Sequence, residues 1–357
     1  MVQKAFVDFV CQQGWASPTL ERLAGDASGR RYWRVRGGVG GGGESRDDVS
    51  SLPLVLLVHA PPPEDVGTFF RAGHYLRSVG LRTPHVYVYD FSRHLALIED
   101  FGEKNVYGML LRGGRAGRKR MLYECAIDVL ATLHSRSKGD KQALFLPPYD
   151  MEALQREHRL FVDWYVSACG VTLREKDKQN FLDRWRMLLD PVVRGLEETG
   201  AWVVTLRDFH ADNIMFLADE LPPRCCGLLD FQDAVRGSVA YDVVSLLYDV
   251  RVPQDSAMRH AMMERYMASL PEGERETFLH HCALFNSQRL CKIAGIFMRL
   301  AMRDKKEGYQ HYMPRVMALL EDSLEHASVA SIKEWFERYL PRDKRLFHKE
   351  LVGEGDG

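Results

Sequence analysis

The chain has 357 residues, 46% of them hydrophobic, and its 48 basic and 49 acidic side chains leave a formal net charge of −1. So balanced a charge provides no global field to draw in nucleic acid or an anionic membrane, and the length suits two lobes better than one compact core. Seven cysteines without repeated spacing read as reduced thiols of a cytoplasmic protein, not as a disulfide frame or a zinc site.

The first ten residues read as an amphipathic helix and not as a signal peptide, and no stretch approaches the roughly 18 apolar residues of a membrane span. Runs at 19–24 and 31–36 read as strands flanking the small-residue loop Gly25-Asp26-Ala27-Ser28-Gly29-Arg30. Residues 37–48 are too rich in glycine and too polar to pack, and read as a mobile loop. A buried strand at 53–59, a helix at 65–79 and strands at 85–89 and 94–99 follow. From Asn105 onward the pattern is helical, with apolar residues at helical spacing over 121–133, 151–168, 176–195, 241–250, 256–269, 275–303, 311–326 and 331–340. One interruption reads as a hairpin, with strands at 214–217 and 226–230 joined by the turn Ala218-Asp219-Glu220-Leu221-Pro222-Pro223.

Two runs at that hairpin carry chemistry. Leu206-Arg207-Asp208-Phe209-His210-Ala211-Asp212-Asn213 sets an Asp five residues before an Asn, and Leu228-Leu229-Asp230-Phe231-Gln232-Asp233 puts another Asp at the end of an apolar run. This is the order of acidic groups in kinase-type phosphoryl transfer. Such a reaction leaves the protein little covalent work, so catalysis is mostly alignment of the nucleophile and neutralisation of phosphate charge. Asp208 is the candidate to accept the proton of an attacking hydroxyl. Asn213 and Asp230 are the candidate ligands of the Mg²⁺ that bridges the phosphates of ATP. An isolated Asp or Asn near a turn is more often a cap or an Asx-turn acceptor. Two such motifs, in order and bracketing a hairpin, argue against that reading. His210 reads as a packing or hydrogen-bonding residue, because Asp208 already fills the role of base. Asp233 either faces the acceptor or braces the metal loop, and with His210 it is a candidate substrate contact. Asp242 reads as a helix cap or a brace for the loop.

With these residues in view, the chain resembles the aminoglycoside and choline kinase superfamily, whose fold is that of protein kinases. More narrowly, it is similar to bacterial kinases that phosphorylate N-acetylmuramate and N-acetylglucosamine at the anomeric hydroxyl. The resemblance runs through Gly25 to Tyr32, Ala60-Pro61-Pro62, Leu97-Ile98-Glu99-Asp100-Phe101-Gly102, the Asp208 loop, Gly227 to Asp242, Gln288-Arg289 and Gly295 to Arg315. It implies an α+β, two-lobe fold: a small antiparallel-sheet lobe over residues 1–101 that covers the nucleotide, and a mostly helical lobe over 102–357. Glu99 and Asp100 then lie at the junction where an adenine ring binds to the backbone. The implied partner is a small sugar, with ATP and Mg²⁺ as cofactors and neither nucleic acid nor membrane.

The chain departs from the protein-kinase pattern in one respect. No Lys occurs between Lys4 and Lys104, and His59 stands near the end of the strand that would carry the phosphate-binding Lys. Ser28, Arg30 and Arg31 are therefore the candidate phosphate contacts, with Arg34 close by. Two other functions stay open on the residues alone. One is a kinase of an aminoglycoside or choline-like alcohol; the other is a pseudokinase that binds without turnover.

Overall fold

A computed structural model describes residues 2–23, 29–39, 55–62, 66–111 and 116–346. Most of the small-residue loop, most of the glycine-rich tract and the end of the tail expected beyond Pro341 lie outside the described residues. The chain divides into two compact units: Met1–Met109 with Asp212–Asp233, and Leu110–Ala211 with Ala234–Gly357.

The first unit is built on one antiparallel sheet. Its strands are β1 (Trp15–Arg22), β2 (Arg31–Val39), β3 (Val55–His59), β4 (Val86–Asp90) and β5 (Leu95–Glu99), in the order β1-β2-β3-β5-β4. Side chains alternate across a strand, and here both faces are apolar. Trp33, Val35, Val55, Leu57, Leu95 and Leu97 point to one side, where they pack with Phe6, Phe9 and Val10 of helix α1 (Val2–Cys11). Tyr32, Leu56, Val58, Ala96 and Ile98 point to the other, towards Val66, Phe69 and Phe70 of helix α2 (Val66–Ser78). Leu57 and Leu97 are fully buried, each such side chain contributing about 1.5–3 kcal/mol.

The expected hairpin forms between Ile214–Phe216 and Cys226–Leu228, somewhat shorter than the sequence suggests, and packs within this same unit. Phe216 N donates to Lys104 O at 2.8 Å and Leu228 N to Arg82 O at 2.8 Å, so the hairpin is sewn to segments far from it in sequence. Gly227 is required there: a Cβ would stand 2.6 Å from the ring of Phe101.

The second unit is mainly helical and holds one ladder that the sequence pattern does not reveal, Val203–Thr205 against Val235–Gly237. Three-residue strands are too short to show a period. Its central helix, Arg275–Met302, is buried along much of its length. The expected helix over 151–168 runs as Met151–Leu160, widens to π geometry over Phe161–Tyr165 and ends as Val166–Ala168. Gly295 explains how closely the two helices approach: a Cβ there would lie 2.4 Å from both the carbonyl carbon and oxygen of Leu160. Backbone cannot yield as a side-chain tip can. Gly295→Ala is expected to destabilise the protein by about 1–3 kcal/mol or more, read as a lower Tm, and an unchanged Tm would show that the helices can part freely. Among the described residues no helix is long and apolar enough to cross a membrane.

Candidate active site

In the first unit, the sheet face towards α2 bounds a pocket of about 220 Å³. Tyr32, Leu56, Phe69 and Ile98 give it an apolar wall, Glu99 to Gly102 form one rim, and Asn213, Met215, Leu229 and Asp230 close the other. A pocket with an apolar wall and with a carboxylate and an amide on its lining suits a ligand that has a planar ring at one end and phosphates at the other. Both rim carboxylates are engaged. Glu99 pairs through both oxygens with Arg82, whose guanidinium lies 4.9 Å from the Phe101 ring centroid. Asp100 takes Nε of Arg34 and the backbone N–H of Gly102, the latter at 2.8 Å. Both carboxylates are thus held by partners within the first unit.

Asp230 is held at the far end by several contacts. Leu229 N donates to Asn213 O at 3.0 Å, which ties the two halves of the motif together. Phe231 stacks on Phe69 at 4.8 Å and fits against Gly73. Asp230 itself has φ +55°, a conformation uncommon outside glycine and concentrated at functional sites. Its Oδ1 accepts from Arg30 Nη2 at 2.8 Å and from Gln232 Nε2 at 2.9 Å. Oxygen donors from one carboxylate and one amide fit Mg²⁺, which keeps waters and substrate phosphates as its other ligands. The described residues contain no cluster of three or more His, Cys, Asp or Glu able to hold a metal.

In the second unit, Asp208 is half-buried on a loop whose backbone is fixed from two sides. The buried carboxylate of Asp242 accepts from Leu206 N at 2.6 Å and Arg207 N at 2.9 Å. Asp242 is thus a brace; the cap of its helix is Ser238, which accepts from Ala240 N. Arg207 sits at φ +70°, a strain on the order of 1–2 kcal/mol. Its guanidinium donates to Glu157 Oε1 at 2.6 Å. Lys292 Nζ lies 3.0 Å from the same oxygen, Gln288 Nε2 donates to Oε2 at 2.9 Å, and Tyr149 donates its hydroxyl proton there too. Burial alone would raise the pKa of Glu157, but Lys292 and Arg207 hold it down at about 2. One anion between two cations leaves net positive charge beside Asp208, which is among the carboxylates that favour the charged forms of both Lys292 and Arg207. Breaking so buried a cluster costs about 3–5 kcal/mol.

Sequence reasoning did not single out Glu157, Gln288 for this role, or Lys292. Each sits on an amphipathic helix where a polar residue looks solvated, and nothing in their spacing joins them. Of the residues it did single out, Arg30, Glu99, Asp100, Asn213 and Asp230 come together around the pocket or its rim. Arg31 does not. It is exposed and pairs across the ladder with His59, which packs against Phe6 on the α1 face. Arg34 faces the pocket side, where its partners are Asp100 and Glu103. Asp233 is exposed and accepts from Gln232 at 3.1 Å. Ser28 lies outside the described residues. His210 is buried, and burial with Arg251 and Arg289 nearby lowers its pKa to about 3, so it is neutral and a poor proton acceptor.

His158, buried and stacked on Trp185 at 4.9 Å, is likewise lowered by burial to about 3. An unfolded chain protonates these histidines near 6.5 while the folded one does not. Their contribution is therefore complete above pH 6.5 and falls below it, by about 1.4 kcal/mol per pH unit and histidine. Glu157 adds to the loss between 4.5 and about 2. Tm is expected to drop as pH goes from 7 to 5, and the slope should flatten in His158→Gln; a Tm independent of pH in that range would rule out neutral burial.

An α+β chain with a small antiparallel sheet, a helical second unit and this acid set defines a class of enzyme, one that moves phosphoryl groups. Comparison with known proteins agrees. The model of the phosphotransferase enzyme family matches residues 19–277, and the chain belongs to that family. An N-acetylmuramate/N-acetylglucosamine kinase of Caulobacter vibrioides is 29% identical to it over 94% of this chain and 96% of the relative. A kinase of the same name from Pseudomonas aeruginosa is 33% identical over 87% and 86%. Among solved structures, a choline/ethanolamine kinase family protein from Mesorhizobium loti superposes with a TM-score of 0.58 over 94% of this chain and 99% of that one, at 13% identity. That likeness concerns the fold, which is the two-lobe kinase type.

Proposed function

We propose that the protein is an ATP- and Mg²⁺-dependent kinase of the cytoplasm that phosphorylates the anomeric hydroxyl of N-acetylmuramate or N-acetylglucosamine in cell-wall sugar recycling. The observation that carries this reading is near-full-length similarity to relatives bearing that name, joined to Asp208, Asn213 and Asp230 in the order such a reaction needs. The first unit serves as the nucleotide-covering lobe and the second as the acceptor lobe. Asp208 accepts the proton of the anomeric hydroxyl, which is more acidic than an ordinary alcohol, so a weakly basic carboxylate suffices in a loose transition state. Asn213 and Asp230 hold Mg²⁺, which when bound neutralises phosphate charge. Asp233 and His210 border the acceptor.

Arg30 takes the place of the absent strand Lys. It is 8% exposed and already at Asp230, and the nucleotide phosphates give its guanidinium a second anionic partner. Arg30→Ala is expected to raise KM for ATP about 10–100-fold, the size of a lost charge-assisted hydrogen bond, with a smaller effect on KM for sugar. Arg31→Ala should change neither much. A larger effect from Arg31 than from Arg30 would reverse the assignment.

The function is tested with ATP, Mg²⁺ and a panel of sugars and amino alcohols. Free N-acetylmuramate or N-acetylglucosamine should give the 1-phosphate, and the methyl glycoside of N-acetylglucosamine should give nothing. Phosphorylation of the glycoside, or of choline or an aminoglycoside in place of the free sugars, would overturn the acceptor; no turnover with any of them would favour a binding module.

A further inference from the structure

Within the second unit, one cation stands without the partner that burial normally demands. Arg289 is 4% exposed, its Nη1 makes no hydrogen bond, and among the described residues no carboxylate pairs with it. A buried charge left unpaired is costly and uncommon, and a buried polar group without a partner calls for an explanation. Its surroundings do not balance it. Arg289 and Arg251 both act electrostatically on the neutral His210, and Asp249 is the acid that opposes them there. Asp249 is already 3.6 Å from Arg251 Nη1 and also faces Arg315. Asp249 is thus engaged by Arg251 and Arg315, while Arg289 acts on His210, two residues beyond Asp208 on the same loop.

The helix places this cation accurately. Gln288 and Lys292 on Arg275–Met302 are bonded to Glu157, so that stretch cannot rotate. Arg289 lies between them in sequence and three residues from Lys292, which puts the two cations on adjoining positions of one helix surface. Lys292 is paired with Glu157, whereas among the described residues no carboxylate is paired with Arg289. An acceptor whose hydroxyl reaches Asp208 would bring its neighbouring substituents to this surface. The two sugars in the proposed function differ in one group: N-acetylmuramate carries a lactyl ether on C3, ending in a carboxylate, where N-acetylglucosamine has a hydroxyl. A planar carboxylate matches the fork of a guanidinium.

We propose that Arg289 is a specificity-determining residue that receives the carboxylate of the acceptor, so that the preferred substrate is an acidic amino sugar of the N-acetylmuramate type and not its neutral counterpart. This rests on the acceptor class proposed above. The anion completes a site that the folded protein leaves positively charged, and a neutral sugar leaves that charge unmatched.

The test compares kcat/KM for N-acetylmuramate and N-acetylglucosamine in the wild type, Arg289→Met and Arg289→Lys. The ratio favouring N-acetylmuramate is expected to fall about 10–100-fold in Arg289→Met, as for a lost charge-assisted hydrogen bond, chiefly through KM, and to recover in part in Arg289→Lys. Removal of an unpaired buried charge should leave Tm of the ligand-free protein unchanged or raised, while the thermal shift caused by N-acetylmuramate shrinks. Equal losses on both sugars would make Arg289 a grip on the transferred phosphoryl group or a structural residue and would overturn the proposal with the sugar-kinase reading intact. A lower Tm together with an unchanged ratio would overturn it also. Failure of the wild type on both sugars would remove the sugar-kinase reading, and the proposal with it.

Discussion

Asp208→Asn is expected to lower kcat by about 10²–10⁴, the usual contribution of a positioned general base, while Mg·ATP still binds. The substitution keeps the shape of the side chain and the backbone bonds from Asp242, and removes only the charge that accepts the proton. The carboxylate is half-buried on a loop held at both Leu206 N and Arg207 N, so the loss should not come from a disordered loop. Steady-state kinetics with calorimetric titration of nucleotide separates the two effects. Wild-type turnover in the mutant would remove Asp208 from the mechanism, and loss of nucleotide binding would move it to the nucleotide site.

Asp230→Ala should be at least as damaging, with kcat/KM falling on the order of 10³-fold because phosphate charge loses its principal counterion ligand. It would also leave the buried Arg30 without its carboxylate, so a stability loss is expected with it. Asp230→Asn separates the two causes: it retains an oxygen for Arg30 and Gln232 but weakens Mg²⁺ binding. Activity measured against Mg²⁺ concentration should show a rightward shift in Asp230→Asn at nearly wild-type Tm. If the Mg²⁺ dependence were unchanged in both variants, Asp230 would not be a metal ligand.

Local signals in the sequence carried far. Short continuous apolar runs located β3 and β5, because both faces of that sheet are buried, and helical spacing located the long helices of the second unit. The acid order around the 214–228 hairpin was equally plain, since Asp208, Asn213 and Asp230 lie within one short stretch of chain. What local signals missed was whatever depends on parity or on distant partners. Arg30 and Arg31 look alike in sequence, yet the alternation of β2 puts Arg31 opposite His59 on the α1 face and leaves Arg30 to meet Asp230. The helix over 151–168 read as continuous, and its π turn appears only once Gly295 is seen against Leu160.

By itself, then, the sequence determined the class of elements, the candidate catalytic acids and the absence of a strand lysine, all of which are written in neighbouring residues. Tertiary structure alone decided which charges meet. Arg207 and the helical pair Gln288 and Lys292 come from separate places in the chain and converge on the Glu157 carboxylate, which comes from a third, and the hairpin with Asn213 and Asp230 packs with a sheet whose strands end more than a hundred residues earlier. The reason is physical. A buried charge is tolerable only when opposite charge and hydrogen bonds surround it, and those partners are recruited through space by packing, with no constraint on their spacing along the chain.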